Sequence, residues 1–224
     1  MASTNFQKKL DSILETLVQN SKPKPKLLLH ACCGPCSSYV LEYLSQYFNI
    51  TVYFFNPNIY PQQEHDRRLD ELVSLYKKFP PVIDNNIQLV QESYNPHLFY
   101  EYLDLPNHPD FSTEPEKGNR CYSCYELRLK KTFEYAKANQ FDYFCTTLSI
   151  SPFKDANKIN SIGFQLEEKY SSSSPDSPKW LFSDFKKKGG FQRSLEISTE
   201  YNLYRQQYCG CVYSLQNTKQ SHSQ

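Results

Sequence analysis

The stretch Lys26-Leu-Leu-Leu-His-Ala-Cys-Cys-Gly-Pro-Cys36 decides the fold. Its apolar run, Leu27 to Leu29, is short and unbroken, as expected of a strand covered on both faces. The cysteine-rich turn leads into a helix expected from Pro35 to Tyr47. Working outward, a second strand is expected over Ile50–Phe55 and stops at Asn56-Pro57-Asn58, followed by a polar helix from about Pro61 to Lys78. A strand near Ile87–Gln91, a Pro- and Asp-rich loop from Asp104 to Gly118, a helix from about Tyr122 to Ala138 and a strand Phe141–Thr146 continue the alternation. Strand and helix in alternation predict an α/β fold: a Rossmann-like parallel sheet flanked by helices, with a cysteine-rich metal site at the carboxyl edge of the sheet.

The chain has 224 residues, long enough to bury a core without metal or disulfide support. Residues 1–25 read as an amphipathic helix and linker, with Phe6, Leu10, Ile13, Leu14, Leu17 and Val18 at helical spacing and packing against the domain. Residues 26–215 read as one α/β domain, with a flexible surface insertion near 171–178, and 216–224 as a polar tail. With 25 Lys+Arg against 24 Asp+Glu the net charge is +1, so a polyanion must be met by a local patch. No stretch approaches the roughly 20 apolar residues of a membrane span, and the first ten residues lack the apolar region of a signal peptide, which predicts a cytoplasmic protein with no membrane partner.

In a reducing compartment the eight cysteines raise the question of metals and redox chemistry rather than structural disulfides. Seven fall in three groups: Cys32, Cys33 and Cys36; Cys121 and Cys124; Cys209 and Cys211. Cys145 lies in the apolar Phe141–Thr146 strand and is read as core filling. The first group opens a helix at the carboxyl edge of the sheet, where ligands bind in open α/β folds and the helix N-terminus favours thiolate. Cys121-Tyr-Ser-Cys124 has the spacing with which two thiolates grip one metal. Spacing alone leaves both an iron–sulfur cluster and structural zinc open. Cys209-Gly-Cys211 is close enough to form a strained, reducible disulfide, or to ligate metal with both thiolates.

The blocks His30-Ala-Cys-Cys-Gly-Pro-Cys36, Phe55-Asn-Pro-Asn-Ile59, Arg120 to Leu129, Thr146 to Asp155, Asp184 to Gly190 and Tyr204-Arg-Gln-Gln-Tyr-Cys-Gly-Cys211 together resemble the epoxyqueuosine reductases of the QueH family. The resemblance implies an oxidoreductase of the last step of queuosine biosynthesis. Such an enzyme reduces the epoxide of epoxyqueuosine, at the wobble position of tRNA, to the alkene of queuosine without cobalamin. It implies a 4Fe–4S cluster on Cys32, Cys33, Cys121 and Cys124, and a redox-active Cys209–Cys211 pair.

Removing the epoxide oxygen consumes two electrons and two protons, whereas a cluster normally passes one electron at a time, so a second redox element is needed. The CxC dithiol or an additional mononuclear iron near Cys36 could serve, alongside an electron donor that the sequence does not identify. Asp155, Lys154 and Tyr204 are candidate proton donors or substrate contacts by motif position. Lys186, Lys187, Lys188 and Arg193, beside two glycines and Phe191, are candidate tRNA contacts. Two rivals remain. An adenine-nucleotide-dependent tRNA-modifying enzyme would use the first turn to cradle phosphates, although Cys-Cys-Gly-Pro is no glycine- and serine-rich phosphate loop. A zinc-stabilised RNA-binding module would need no catalysis.

Overall fold

The computed structural model describes residues 5–20, 23–171 and 177–221. Five strands, β1 (Lys26–His30), β2 (Asn49–Phe54), β3 (Gln88–Gln91), β4 (Tyr143–Thr146) and β5 (Lys179–Trp180), form one sheet in the order β3-β2-β1-β4-β5. Every pairing is parallel, with Leu28 opposite Thr51 on one side and Phe144 on the other. Because β1 is central and the chain winds first to one side and then to the other, a crevice opens at the carboxyl ends of β1 and β4.

Alternation of side chains along β1 serves two cores. Leu27 and Leu29 enter one with α1 (Phe6–Gln19), α2 (Gly34–Leu44), α3 (Gln62–Tyr76), α4 (Pro80–Asp84) and α8 (Gly190–Glu200). Leu28 enters the other with α5 (His97–Leu103), α6 (Asn119–Ala138) and α7 (Ala156–Ser171). All three leucines are fully buried, each contributing about 1.5–3 kcal/mol of apolar transfer. From α1, Leu10 and Leu14 sit in the first core, so that helix is packed onto the domain.

His30 fastens the carboxyl edge. Its Nε2–H donates to the Phe55 carbonyl at 3.1 Å, which leaves Nδ1 to accept from the Thr146 hydroxyl at 2.8 Å. One ring thus ties β1 to β2 and β4. Burial, then the Arg128 charge, push its pKa down to about 3, so it is a neutral structural histidine.

Observed elements depart from the sequence reading chiefly at their ends. The second helix stops at Leu44 rather than Tyr47, and α6 starts at Asn119 rather than Tyr122. Glu114 explains the earlier start: its carboxylate accepts the Asn119 and Arg120 amides at 2.7 and 2.6 Å, capping the helix and drawing Cys121 inside it. The expected loop before it contains a short 3-10 turn, Pro109–Ser112. Beyond residue 215 the chain continues in α9 (Val212–Ser221). Of the expected insertion, residues 172–176 lie outside the described residues.

Cys145 is fully buried, and its Sγ donates to the Leu181 carbonyl at 3.3 Å. Beside it, α7 closes on β5 through Asn160, whose Oδ1 accepts from Trp180 Nε1 and from the Ser183 amide, both at 3.0 Å. Gly163 permits this approach, since a Cβ there would lie 2.1 Å from the Trp180 ring. Gly163→Ala should therefore destabilise by about 1–3 kcal/mol, seen as a melting temperature lowered by about 2–4 °C per kcal/mol. An unchanged melting temperature would show that the indole can move.

Candidate functional site

The β1–α2 turn brings the Sγ atoms of Cys32, Cys33 and Cys36 within 4.8 Å of one another. Cys33 is the N-cap of α2, its sulfur accepting the Cys36 amide at 3.4 Å, and Pro35 sits in the first turn where no amide is needed. This local capping folds the three sulfurs inward. Hydrogen bonds from Cys33 and Cys36 hold the Cys32 thiol well below the usual range against the opposing effect of burial, with Lys154 and Arg128 adding attraction. Burial raises Cys33, and donation to Cys32 pushes Cys36 up to about 12.

Cys121 and Cys124 occupy the first turns of α6. Four residues on, Arg128 is 2% exposed and returns to Cys124, with Nε donating to its carbonyl at 3.1 Å and Nη2 to its Sγ at 3.4 Å. The same guanidinium interacts with Cys209 and Cys32. Lys154, also buried, faces Cys209, Cys32 and Cys36. Burial lowers the Lys154 pKa, but these thiols outweigh it and the ammonium is held above its ordinary range. Two interior cations thus interact both with the β1–α2 thiols and with Cys209. Among the described residues, the three-sulfur cluster within 4.8 Å does not include Cys121 or Cys124, which interact instead with Cys209 and Cys211. Burial raises Cys121 to about 11 and Cys124 to about 12.

A C-terminal strap delivers Cys209 and Cys211. Arg68 of α3, 1% exposed, donates to the Cys209 and Tyr208 carbonyls at 3.1 and 3.2 Å while paired with Glu64 at 2.7 Å. Gly210 between the cysteines has φ +135°, a conformation that requires glycine, and its face lies against Arg68 and Ile59. All eight cysteines are free thiols. Gln206, on the same strap, reaches back to donate to Cys33 Sγ at 3.1 Å, connecting the strap with the first group.

The sequence-selected polar residues fall in different places. Lys154, Cys36 and Cys209 line one cavity of about 420 Å³. Tyr204 is engaged with α3: its hydroxyl bonds Glu64 at 3.1 Å and its ring lies under Arg67. Asp155 caps α7, with Oδ1 accepting the Asn157 and Lys158 amides at 2.9 and 3.2 Å. In the basic run, Lys186 pairs with Asp184 and Lys188 with Asp11, and Arg193 grips Glu42 through two nitrogens at 3.0 and 2.7 Å. Lys187 makes no ion pair among the described residues. Arg68, Arg128 and Gln206 were not anticipated. For Arg128 a signal existed, because four residues from Cys124 in a helix puts it on the same face; the other two meet their partners only through the fold.

A parallel α/β sheet whose carboxyl edge gathers thiols around buried cations has the equipment of a thiol-based redox enzyme. The family model for epoxyqueuosine reductase QueH matches residues 27–217. Epoxyqueuosine reductase QueH of Streptococcus pyogenes serotype M1 is 37% identical over 219 residues, covering 96% of this chain and 82% of that protein. The same-named proteins of Staphylococcus epidermidis and Haemophilus influenzae are 37% and 39% identical, covering 94% and 86% of this chain and 84% and 73% of theirs. The chain belongs to the QueH family of epoxyqueuosine reductases and is an oxidoreductase. Among solved structures, NMN synthetase from Francisella tularensis is 12% identical with a TM-score of 0.39, covering 97% of this chain and 92% of that one.

Cys36, Cys121 and Cys124, raised in pKa, are protonated near neutrality, so a metal must displace protons to bind them. Affinity of the reduced, metal-free protein for Co²⁺, followed by thiolate charge-transfer absorbance, should rise with pH by about tenfold per unit for each proton released. An affinity independent of pH between about pH 6.5 and about pH 8 would show that the thiols are already ionised.

Proposed function

We propose that this chain reduces the epoxide of epoxyqueuosine in tRNA, at the wobble position of the anticodon, to queuosine in the last step of queuosine biosynthesis. The observation that carries the reading is the cavity in which Cys36, Lys154 and Cys209 meet: two oxidisable thiols and a protonated amine beside one space large enough for the modified ring. The relatives' shared name supports the substrate class.

The residues fit a 4Fe–4S cluster in donor chemistry, because the set is all sulfur and two buried cations offset its charge. Cys32, Cys33, Cys121 and Cys124 would hold the cluster, with Cys36 available to an additional mononuclear iron. When bound, these groups supply single electrons and a Lewis acid. Arg128, hydrogen-bonded to Cys124 and interacting electrostatically with Cys32, would offset the charge of both ligand pairs. Cys209 and Cys211 hold two electrons as a dithiol and release them on forming their disulfide. The overall conversion takes two electrons and two protons, and the epoxide oxygen leaves as water. Lys154 Nζ is the proton source that lines the cavity, and a donor outside the chain must restore the dithiol. We place the reaction in the cytoplasm, where tRNA and reductants are both at hand.

Cys32→Ala, Cys33→Ala, Cys121→Ala and Cys124→Ala should each lose most cluster iron, whereas Cys145→Ser should keep it; full iron in one of the four removes that residue from the ligand set. The Cys209→Ser/Cys211→Ser double variant, assayed anaerobically by nucleoside mass spectrometry on tRNA carrying epoxyqueuosine, should retain cluster absorbance and lose multiple turnover. A variant stripped of its cluster would make these cysteines ligands, and sustained turnover would make them dispensable. Lys154→Met should retain iron while slowing reduction by about 10²–10⁴-fold; unchanged rates would place the proton source elsewhere.

A further inference from the structure

The reductase reading leaves a second feature of the same edge unused. Phe153 is 69% exposed although it lies between Pro152 and the buried Lys154. An aromatic ring of that size in water is kept out of the core by its loop. The Phe153 amide donates to Ser151 Oγ at 3.3 Å and the Lys154 amide to the Ser151 carbonyl at 3.2 Å, so the turn sends Lys154 inward and Phe153 outward. Lys117 braces the turn from outside, its Nζ donating to the Pro152 carbonyl at 3.4 Å.

Two cavities meet at this turn. The first, beside Cys36 and Cys209, includes Phe153 in its wall; the second, of about 480 Å³, is lined by Lys117, Asp155, Asp184, Lys186 and Lys187 and shares Pro152 and Lys154 with the first. In the second cavity the acids are occupied. Asp184 pairs with Lys186, and Asp155 caps α7. Among the described residues Lys117 and Lys187 make no ion pair, which leaves two positive charges at its rim. An exposed aromatic face between a base-sized cavity and a rim of unpaired lysines has the layout of single-stranded nucleic-acid recognition, in which a base stacks on the ring and its phosphate meets the cations.

We infer that Phe153 is the stacking platform for the nucleotide adjoining the modified one, and that Lys117 and Lys187 receive the phosphate joining the two. The occupant is single-stranded RNA of an anticodon loop, and the inference rests on the reductase reading for the nucleotide in the first cavity. Stacking next to that cavity fixes the direction of the strand, so Phe153 is a positioning residue rather than a member of the reacting groups. It also explains how a chain of net charge +1 holds a polyanion. The cations it uses are few and local, and most of the basic run that draws attention in the sequence is engaged in ion pairs.

The test is equilibrium binding of the iron-loaded protein to an anticodon stem–loop RNA with unmodified guanine at the wobble position, across a salt series. Phe153→Ala should weaken binding about tenfold with the salt slope unchanged, and Phe153→Trp should keep the affinity. The only tryptophan of the native chain, Trp180, is buried, so the introduced indole is the exposed emitter and its fluorescence should be quenched on RNA addition. Lys117→Ala/Lys187→Ala should flatten the slope of log K against log salt by about 0.7 for each phosphate that is no longer neutralised. Iron content of each variant reports an intact site. Wild-type affinity in Phe153→Ala, or unquenched emission in Phe153→Trp, overturns the inference while tRNA reduction by the native protein leaves the reductase reading standing. Absence of stem–loop binding by the native protein overturns the inference, and absence of tRNA reduction by the native protein overturns the reductase reading.

Discussion

Positive charge buried inside a protein has to be offset, and here cysteine sulfurs gathered around Arg128 and Lys154 do it. Each is buried, and each interacts with Cys209 and Cys32, which the chain separates by well over half its length. A buried unpaired cation would be strongly destabilising, as would a buried unpaired thiolate. Facing one another they become mutually supporting, and the surrounding architecture holds them there. Arg128 is anchored by the Cys124 carbonyl, and Lys154 by the Ser151 turn.

The sheet order determines where that meeting happens. With β1 central, the β1–α2 turn and the β4 terminus open onto the same crevice, and α6 leads into β4 from beside it. The strap carrying Cys209 and Cys211 has no sheet of its own. It is held by α3 through Arg68 and Glu64, and through Glu71, which accepts the Tyr204 amide at 3.0 Å. The strap is thereby fixed by side-chain hydrogen bonds and a glycine turn, a mode of attachment that leaves Cys209 on the cavity wall and Cys211 buried.

What was legible in the sequence was what is local. The Leu27–Leu29 run, the cysteine turn and its helix, and the Cys121–Cys124 pair are contiguous patterns, and each appears where periodicity and turn chemistry put it. Several later elements were not anticipated: α5 spans only seven residues, β5 only two, and α7 to α9 follow no strong pattern of their own. β5 exists because Trp180 fills the space above Gly163 and Asn160 bonds it, pairings that sequence spacing does not announce. The same limit explains the site. Cysteine groups are visible as motifs, but Arg68 reaching the strap and Gln206 reaching Cys33 are long-range pairings. The Lys186–Arg193 run differs from its one-dimensional appearance for the converse reason: its charges look free in sequence, and three of the four are ion-paired in the fold.

The central claim is that these thiols, balanced by Arg128 and Lys154, hold a redox-active iron–sulfur centre rather than a structural ion. Electron paramagnetic resonance of the anaerobically purified protein after dithionite reduction, with iron, sulfide and zinc measured on the same sample, tests it directly. The account predicts about four irons and four sulfides per chain and the S = 1/2 signal of a reduced 4Fe–4S centre. Stoichiometric zinc with neither sulfide nor a signal would contradict it.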